Sequence, residues 1–97
     1  MAAYMVIRAT ITDFPSFMKY GAAAADLVAK MGGEYITAKG QPALCLEGEW
    51  DDDEKLLISR WPSKEAALAF WNSDEYQEIK KLRAGNSAVK VRLVEGA

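Results

Sequence analysis

Apolar residues recur along this chain with two alternating periods, and the order of those periods restricts the fold more than any other feature. Tyr4 to Ile11 are rich in β-branched and apolar types and read as a strand. Phe17, Tyr20, Ala24, Leu27, Val28 and Met31 then recur at three- and four-residue spacing, the apolar stripe of a helix. Asp13 stands where that helix needs a cap, with Pro15 tolerated in its first turn and Gly32-Gly33 at its end. Glu34 to Ala38 reads as a second strand, interrupted by Lys39-Gly40-Gln41-Pro42 and resumed from Leu44 to Trp50. Asp51-Asp52-Asp53 makes a polar hairpin turn into a third strand, Lys55 to Trp61. Ser63 and Ser73 each cap a short helix, the second with Asp74 and Glu75 in its first turn, where they favour the helix dipole. Arg83, Ala84 and Gly85 close it, and Ala88 to Glu95 is the last strand.

Strand, helix, strand, strand, helix, strand is the split βαβ order of a ferredoxin-like α+β fold, an antiparallel sheet with its helices on one face. Residues 1–97, 51% of them hydrophobic, suffice for one such domain and leave no room for a second core. The face without helices should be polar if water covers it. It is not cleanly so. Met5, Ile7 and Ile11 fall on one side of the first strand and Tyr4 and Val6 on the other, while Leu57 and Trp61 oppose Leu56 and Ile58 in the third. Something must cover the second face, and the simplest cover is another copy of the chain.

Several chemistries are excluded at this level. There is no histidine, which removes the usual general base near neutral pH and the Ser-His and Cys-His nucleophile pairs. With one cysteine, Cys45, a cysteine cluster for metal is excluded too, and no metal or cofactor is expected. A formal net charge of −2 with interspersed signs gives no basic field for nucleic acid or an anionic membrane. No apolar stretch approaches the roughly 20 residues of a membrane span, and the unpaired cysteine suits a reducing compartment, so a cytoplasmic protein is expected.

Candidate site residues fall into two constellations. Arg8 shares a strand face with Tyr4 and Val6, and Arg60 shares one with Leu56 and Ile58, so two guanidinium groups point to the same face. Glu47 is their candidate partner. Such a group is either a salt-bridge network, an anion site, or a set of solvated rim charges. Tyr76, Ile79 and Arg83 lie on one face of the last helix and either flank a cleft near Ser87 and Asp13 or tie the helix end to the next loop. Trp50, Trp61 and Trp71 read as core or contact residues before they read as a stacking platform. Asp51 to Glu54 are consecutive, unlike the alternating ligands of a calcium loop, and read as a solvated tip. Cys45, between Leu44 and Leu46, reads as a small packing residue. Gly32-Gly33 ends a helix and is no phosphate loop.

Trp61-Pro62-Ser63, Trp71, Ser73-x-x-Tyr76, Arg83 and Ser87 form an uncommon series, and Tyr4, Asp13, Tyr20, Gly32-Gly33 and Glu47-Gly48-x-Trp50 agree with it. Through these residues the chain resembles the small bacterial proteins grouped as domain of unknown function 1330. The resemblance implies a dimeric α+β barrel, two sheets closed face to face. It places the chain near a superfamily that includes cofactor-independent monooxygenases, lactone isomerases and haem-degrading enzymes, the last disfavoured here by the lack of histidine. Three functions follow: a homodimer that binds a small organic acid or similar anion in the barrel or a cleft beside it; an enzyme using Asp13 or Glu47 as base with Arg8 or Arg60 steadying an enolate or carboxylate; and a purely structural dimer. The ligand-binding set is Arg8, Asp13, Glu47, Trp50, Arg60, Tyr76 and Arg83.

Overall fold

A computed structural model describes residues 1–37, 43–51 and 53–97. Four strands form one antiparallel sheet in the order β2-β3-β1-β4: β1 is Ala3–Ile11, β2 Glu34–Tyr35, β3 Glu54–Trp61 and β4 Ser87–Glu95. Helix α1, Phe14–Lys30, joins β1 to β2, while α2, Lys64–Trp71, and α3, Asp74–Lys80, followed by a 3-10 turn over Lys81–Arg83, join β3 to β4. This is the ferredoxin-like α+β arrangement that the sequence order implies.

The caps fall where the sequence places them. Asp13 accepts from the Ser16 backbone N–H, Ser63 Oγ from that of Ala66, and Ser73 Oγ from that of Tyr76, each three residues on. Gly32 takes φ +91° beyond the C-terminus of α1, a conformation that glycine adopts without strain. A Cβ on Gly33 would stand 2.7 Å from the Trp61 ring, so this glycine is needed for close packing.

The period-two alternation of the strands divides the sheet into two unlike faces. Toward the helices, Ala3, Met5 and Ala9 of β1 and Ser59 and Trp61 of β3 are buried, with Leu27 and Val28 of α1 and Ala67 and Phe70 of α2 packed over them. The Trp61 indole N–H donates to Ser59 Oγ at 3.0 Å, which satisfies both polar groups inside the core. The opposite face carries Tyr4, Val6, Arg8 and Thr10 of β1 between Leu56, Ile58 and Arg60 of β3 and Lys90, Arg92 and Val94 of β4. Among the described residues no helix packs over it, and only Trp50 reaches across to Arg8.

Four expectations fail in the stretch before β3. The second strand stops at Tyr35, leaving Ile36 and Thr37 outside it. Leu44 to Trp50 do not resume a strand; residues 43–50 are irregular and exposed. Cys45 is therefore exposed and not a packing residue. Glu54 belongs to β3 and not to the hairpin tip, although Asp51 and Asp53 are exposed as expected. Ala38 and the interruption Lys39 to Pro42, like Asp52, lie outside the described residues.

Candidate functional site

The break between α2 and α3 builds the more promising site. Ser73 Oγ donates to the Phe70 carbonyl at 2.8 Å and accepts from the Tyr76 N–H at 3.1 Å, so one hydroxyl ends the first helix and starts the second. That turn gathers Phe70, Trp71 and Tyr76, with ring centroids 4.6 Å apart for Phe70–Tyr76 and 5.1 Å for Trp71–Tyr76. Tyr20, from the apolar stripe of α1, meets them: its hydroxyl lies 2.8 Å from that of Tyr76.

Arg83 lies beside this pair. Asn86 Nδ2 donates to the Leu82 carbonyl and Ser87 Oγ to the Arg83 carbonyl, and these side chains tie the end of the helical segment. The guanidinium turns to Tyr20. Its carbon lies 5.4 Å from the centroid of the Tyr20 ring, and its buried Nε has no hydrogen-bond partner among the described residues. Burial pushes the Tyr20 hydroxyl well above its ordinary pKa, helped by Tyr76 and opposed by the Arg83 charge. Tyr35 is raised for the same first reason, with Tyr76 adding to it. Both phenols therefore hold their protons more tightly than a free tyrosine does.

An inner cavity of about 20 Å³ is lined by Tyr20, Tyr35, Ser59, Trp71 and Tyr76 above Met5 and Ile7. Outside it, a groove of about 220 Å³ runs between α2 and the sheet along Met5, Leu68, Trp71, Val91 and Leu93. Met5, Trp71 and Val91 border both spaces, and the inner floor is apolar apart from its few hydroxyl groups. The floor is large enough for about one water, and the groove exceeds the roughly 150 Å³ that accommodates benzene.

The other constellation lies on the opposite face, and its arginines are partnered. Arg8 Nε meets Glu54 Oε1 at 2.6 Å, and the Arg8 guanidinium lies 4.8 Å from the centroid of the Trp50 ring. Arg60 pairs with Glu34. Glu47 is the partner of neither: it lies in the exposed stretch, where its backbone carbonyl accepts from the Trp50 indole N–H at 3.3 Å. Asp13 is taken up by Ser16, whose backbone and hydroxyl it accepts from. The structure thus brings Arg8 and Trp50 together, places Arg60 farther along the same face, and puts Tyr76 and Arg83 on the other side of the sheet. Trp61 is core, Trp71 borders the groove with Lys80 Nζ 5.0 Å from its ring centroid, and Trp50 is half exposed.

Sequence reasoning missed Tyr20, Tyr35, Glu34 and Glu54 as site or partner residues. Strand parity was an available signal for Glu54, which shares the face of Leu56 and Ile58. Nothing local marks Tyr20, because its partner lies 56 residues away. Among the described residues no three His, Cys, Asp or Glu side chains are grouped to hold a metal ion, and no helix is long and apolar enough to cross a membrane.

The family model for the domain of unknown function DUF1330 matches residues 2–97. The chain belongs to this family. No curated protein matches the sequence. Among solved structures, the RPA0582 protein of unknown function from Rhodopseudomonas palustris is 19% identical with a TM-score of 0.73, over 99% of this chain and 82% of that one. SnoaB, a cofactor-independent oxygenase from Streptomyces nogalater, is 13% identical at a TM-score of 0.70 over 99% and 93%. A putative antibiotic biosynthesis monooxygenase from Nitrosomonas europaea is 12% identical at 0.66 over 98% and 89%. At these identities the DUF1330 chain shares with them the fold alone, an antiparallel four-stranded sheet with its helices on one face.

Proposed function

We propose that this DUF1330 protein is a homodimer that binds a small organic acid with a planar apolar body in the groove between α2 and the sheet. The observation that carries the reading is the Tyr20–Tyr76 hydroxyl pair at 2.8 Å beside Arg83. In a pair of hydroxyls one donates to the other, and the acceptor keeps its own hydrogen to offer elsewhere. A floor of protonated phenols near a cation suits an acceptor, and a carboxylate is the commonest small acceptor that also gains from the charge. Trp71, Leu68 and Val91 would meet the hydrocarbon part. This moves the anion site from the sheet's open face to the cleft beside it, because Arg8 and Arg60 already have carboxylate partners.

Turnover is the weaker reading. The fold is shared with oxygenases, but the two carboxylates that the sequence offers as base are elsewhere: Asp13 caps α1 and Glu47 lies in the exposed stretch. Self-association rests on the open face, where Val6, Leu56, Ile58 and Val94 form an apolar centre among charges. A cytoplasmic setting suits the single exposed cysteine.

Thermal shift with benzoate, salicylate and aliphatic acids tests the ligand claim. At 100 times the dissociation constant a ligand contributes about 2.7 kcal/mol. The stabilisation should weaken in Tyr20→Phe and Arg83→Gln and persist in Arg8→Gln and Arg60→Gln. If no acid shifts the transition, or if the Arg8 variant alone loses the response, the cleft is not the site.

A further inference from the structure

Two cations stand at the border of the cleft, and both face aromatic rings. Lys80 closes α3 and Arg83 closes the 3-10 turn after it, and in so tight a turn residues three apart fall on one side. The Arg83 guanidinium carbon lies 5.4 Å from the centroid of the Tyr20 ring, and Lys80 Nζ lies 5.0 Å from that of Trp71. Tyr76 joins the two rings, its centroid 6.5 Å from that of Tyr20 and 5.1 Å from that of Trp71. The row Arg83, Tyr20, Tyr76, Trp71, Lys80 therefore has a cation at each end and three rings between them.

The same segment treats its outward lysine otherwise. Lys81 is exposed and pairs with Glu78, one turn earlier, at 2.9 Å. The positions one turn before Lys80 hold Tyr76 and Gln77, and those before Arg83 hold Ile79 and Lys80, so neither cation has an acidic neighbour there. Among the described residues no ion pair involves Lys80 or Arg83, and no residue that lines the inner cavity or the groove is acidic. The whole chain carries a formal net charge of −2, so the cleft border reverses the prevailing sign. Like charges one turn apart repel, and half-burial of both side chains strengthens the field they set at the cleft.

We propose that the acid taken by the cleft is a dianion: a planar ring carrying two anionic groups, the first met by Arg83 and the second by Lys80. A single carboxylate leaves one of the two charges unanswered, whereas a second anionic group answers both and relieves their repulsion. Lys80 is then the residue that sets specificity. Its flexible four-carbon stem lets the ammonium leave the Trp71 ring for the ligand. The inference rests on the acid-binding reading of the cleft, and its test separates the two.

The ortho, meta and para benzenedicarboxylates, which differ only in the spacing of their carboxylates, are titrated calorimetrically into the full-length protein beside benzoate. At least one isomer should bind about tenfold tighter than benzoate, and that margin should shrink as sodium chloride is raised. Lys80→Met, which keeps an apolar stem, should cut the margin to about twofold, and Lys80→Arg should restore it. Lys81→Met should leave it as in wild type. The isomer comparison uses wild type alone and stands if a Lys80 variant fails to fold. Benzoate binding with no isomer tighter, or a margin that survives Lys80→Met, overturns the dianion and leaves the acid site standing. Binding of neither benzoate nor any diacid overturns both.

Discussion

The two faces of this sheet are made by neighbouring residues of the same strands, yet they handle polarity in opposite ways. On the helix side, Trp61 and Ser59 are 1% exposed and Tyr76 2%, and the polar atoms there are mostly neutral hydroxyl and indole groups bonded to one another. On the open side the polar groups are ions, Arg8 with Glu54 and Arg60 with Glu34, laid between half-buried Val6, Leu56 and Ile58. Burying a neutral donor with a partner is cheap, and burying an ion is not. The helix side can therefore enclose a cleft, with cations only at its aromatic border, Arg83 against Tyr20 and Lys80 against Trp71. The open side is polar enough to meet water. The same residue type, arginine, meets carboxylates on one face and a phenol ring on the other.

The largest expected effect is on the helix side. Tyr76→Ala removes a ring packed by Tyr20, Phe70 and Trp71, and should cost about 3–5 kcal/mol in chemical denaturation at every protein concentration. Ile58→Asp tests the other face. In a dimer it places an unpaired charge in a closed interface, at a cost of roughly 2 kcal/mol or more. Wild-type melting temperature should rise with protein concentration, and this variant should lose that dependence. Equal melting of Ile58→Asp and wild type at all concentrations would mean the open face stays in water. Ser73→Ala loses the bonds that end α2 and start α3, for about 1 kcal/mol. Because that turn sets Trp71 against Tyr76, the variant should also weaken acid binding more than Ser63→Ala does.

The smallest effect is a pH dependence. Tyr20 and Tyr35 hold their protons in the fold to higher pH than in the unfolded chain. Stability should be level through neutral pH and fall once pH passes about 10, where only the unfolded chain releases these protons readily. Tyr20→Phe loses about 1 kcal/mol at pH 7 with the hydroxyl pair, but its deficit should narrow above that pH. A constant deficit across the range would place the alkaline sensitivity elsewhere.

Much of this was legible in the sequence where a signal is local. Asp13, Ser63 and Ser73 marked helix starts through side-chain chemistry, and alternation gave β1, β3 and β4 to within one residue at each boundary. The faces followed from parity alone. Leu44 to Trp50 failed because alternation reports that a segment suits a strand, not that a partner lies beside it. The site was half legible: the step from Tyr76 to Arg83 was visible on one helix, whereas the pairing of Tyr20 with Tyr76 and of Arg8 with Glu54 depends on tertiary contact.

One titration puts the central contrast to the test. The three indole N–H signals report separate places: Trp71 the cleft, Trp61 the core and Trp50 the open face. Adding benzoate to isotope-labelled protein should move the Trp71 signal saturably, leave Trp50 unmoved, and lose its effect on Trp71 in Arg83→Gln. Movement of Trp50 with Trp71 silent would put the acid beside Arg8 on the open face and contradict the assignment of the two faces.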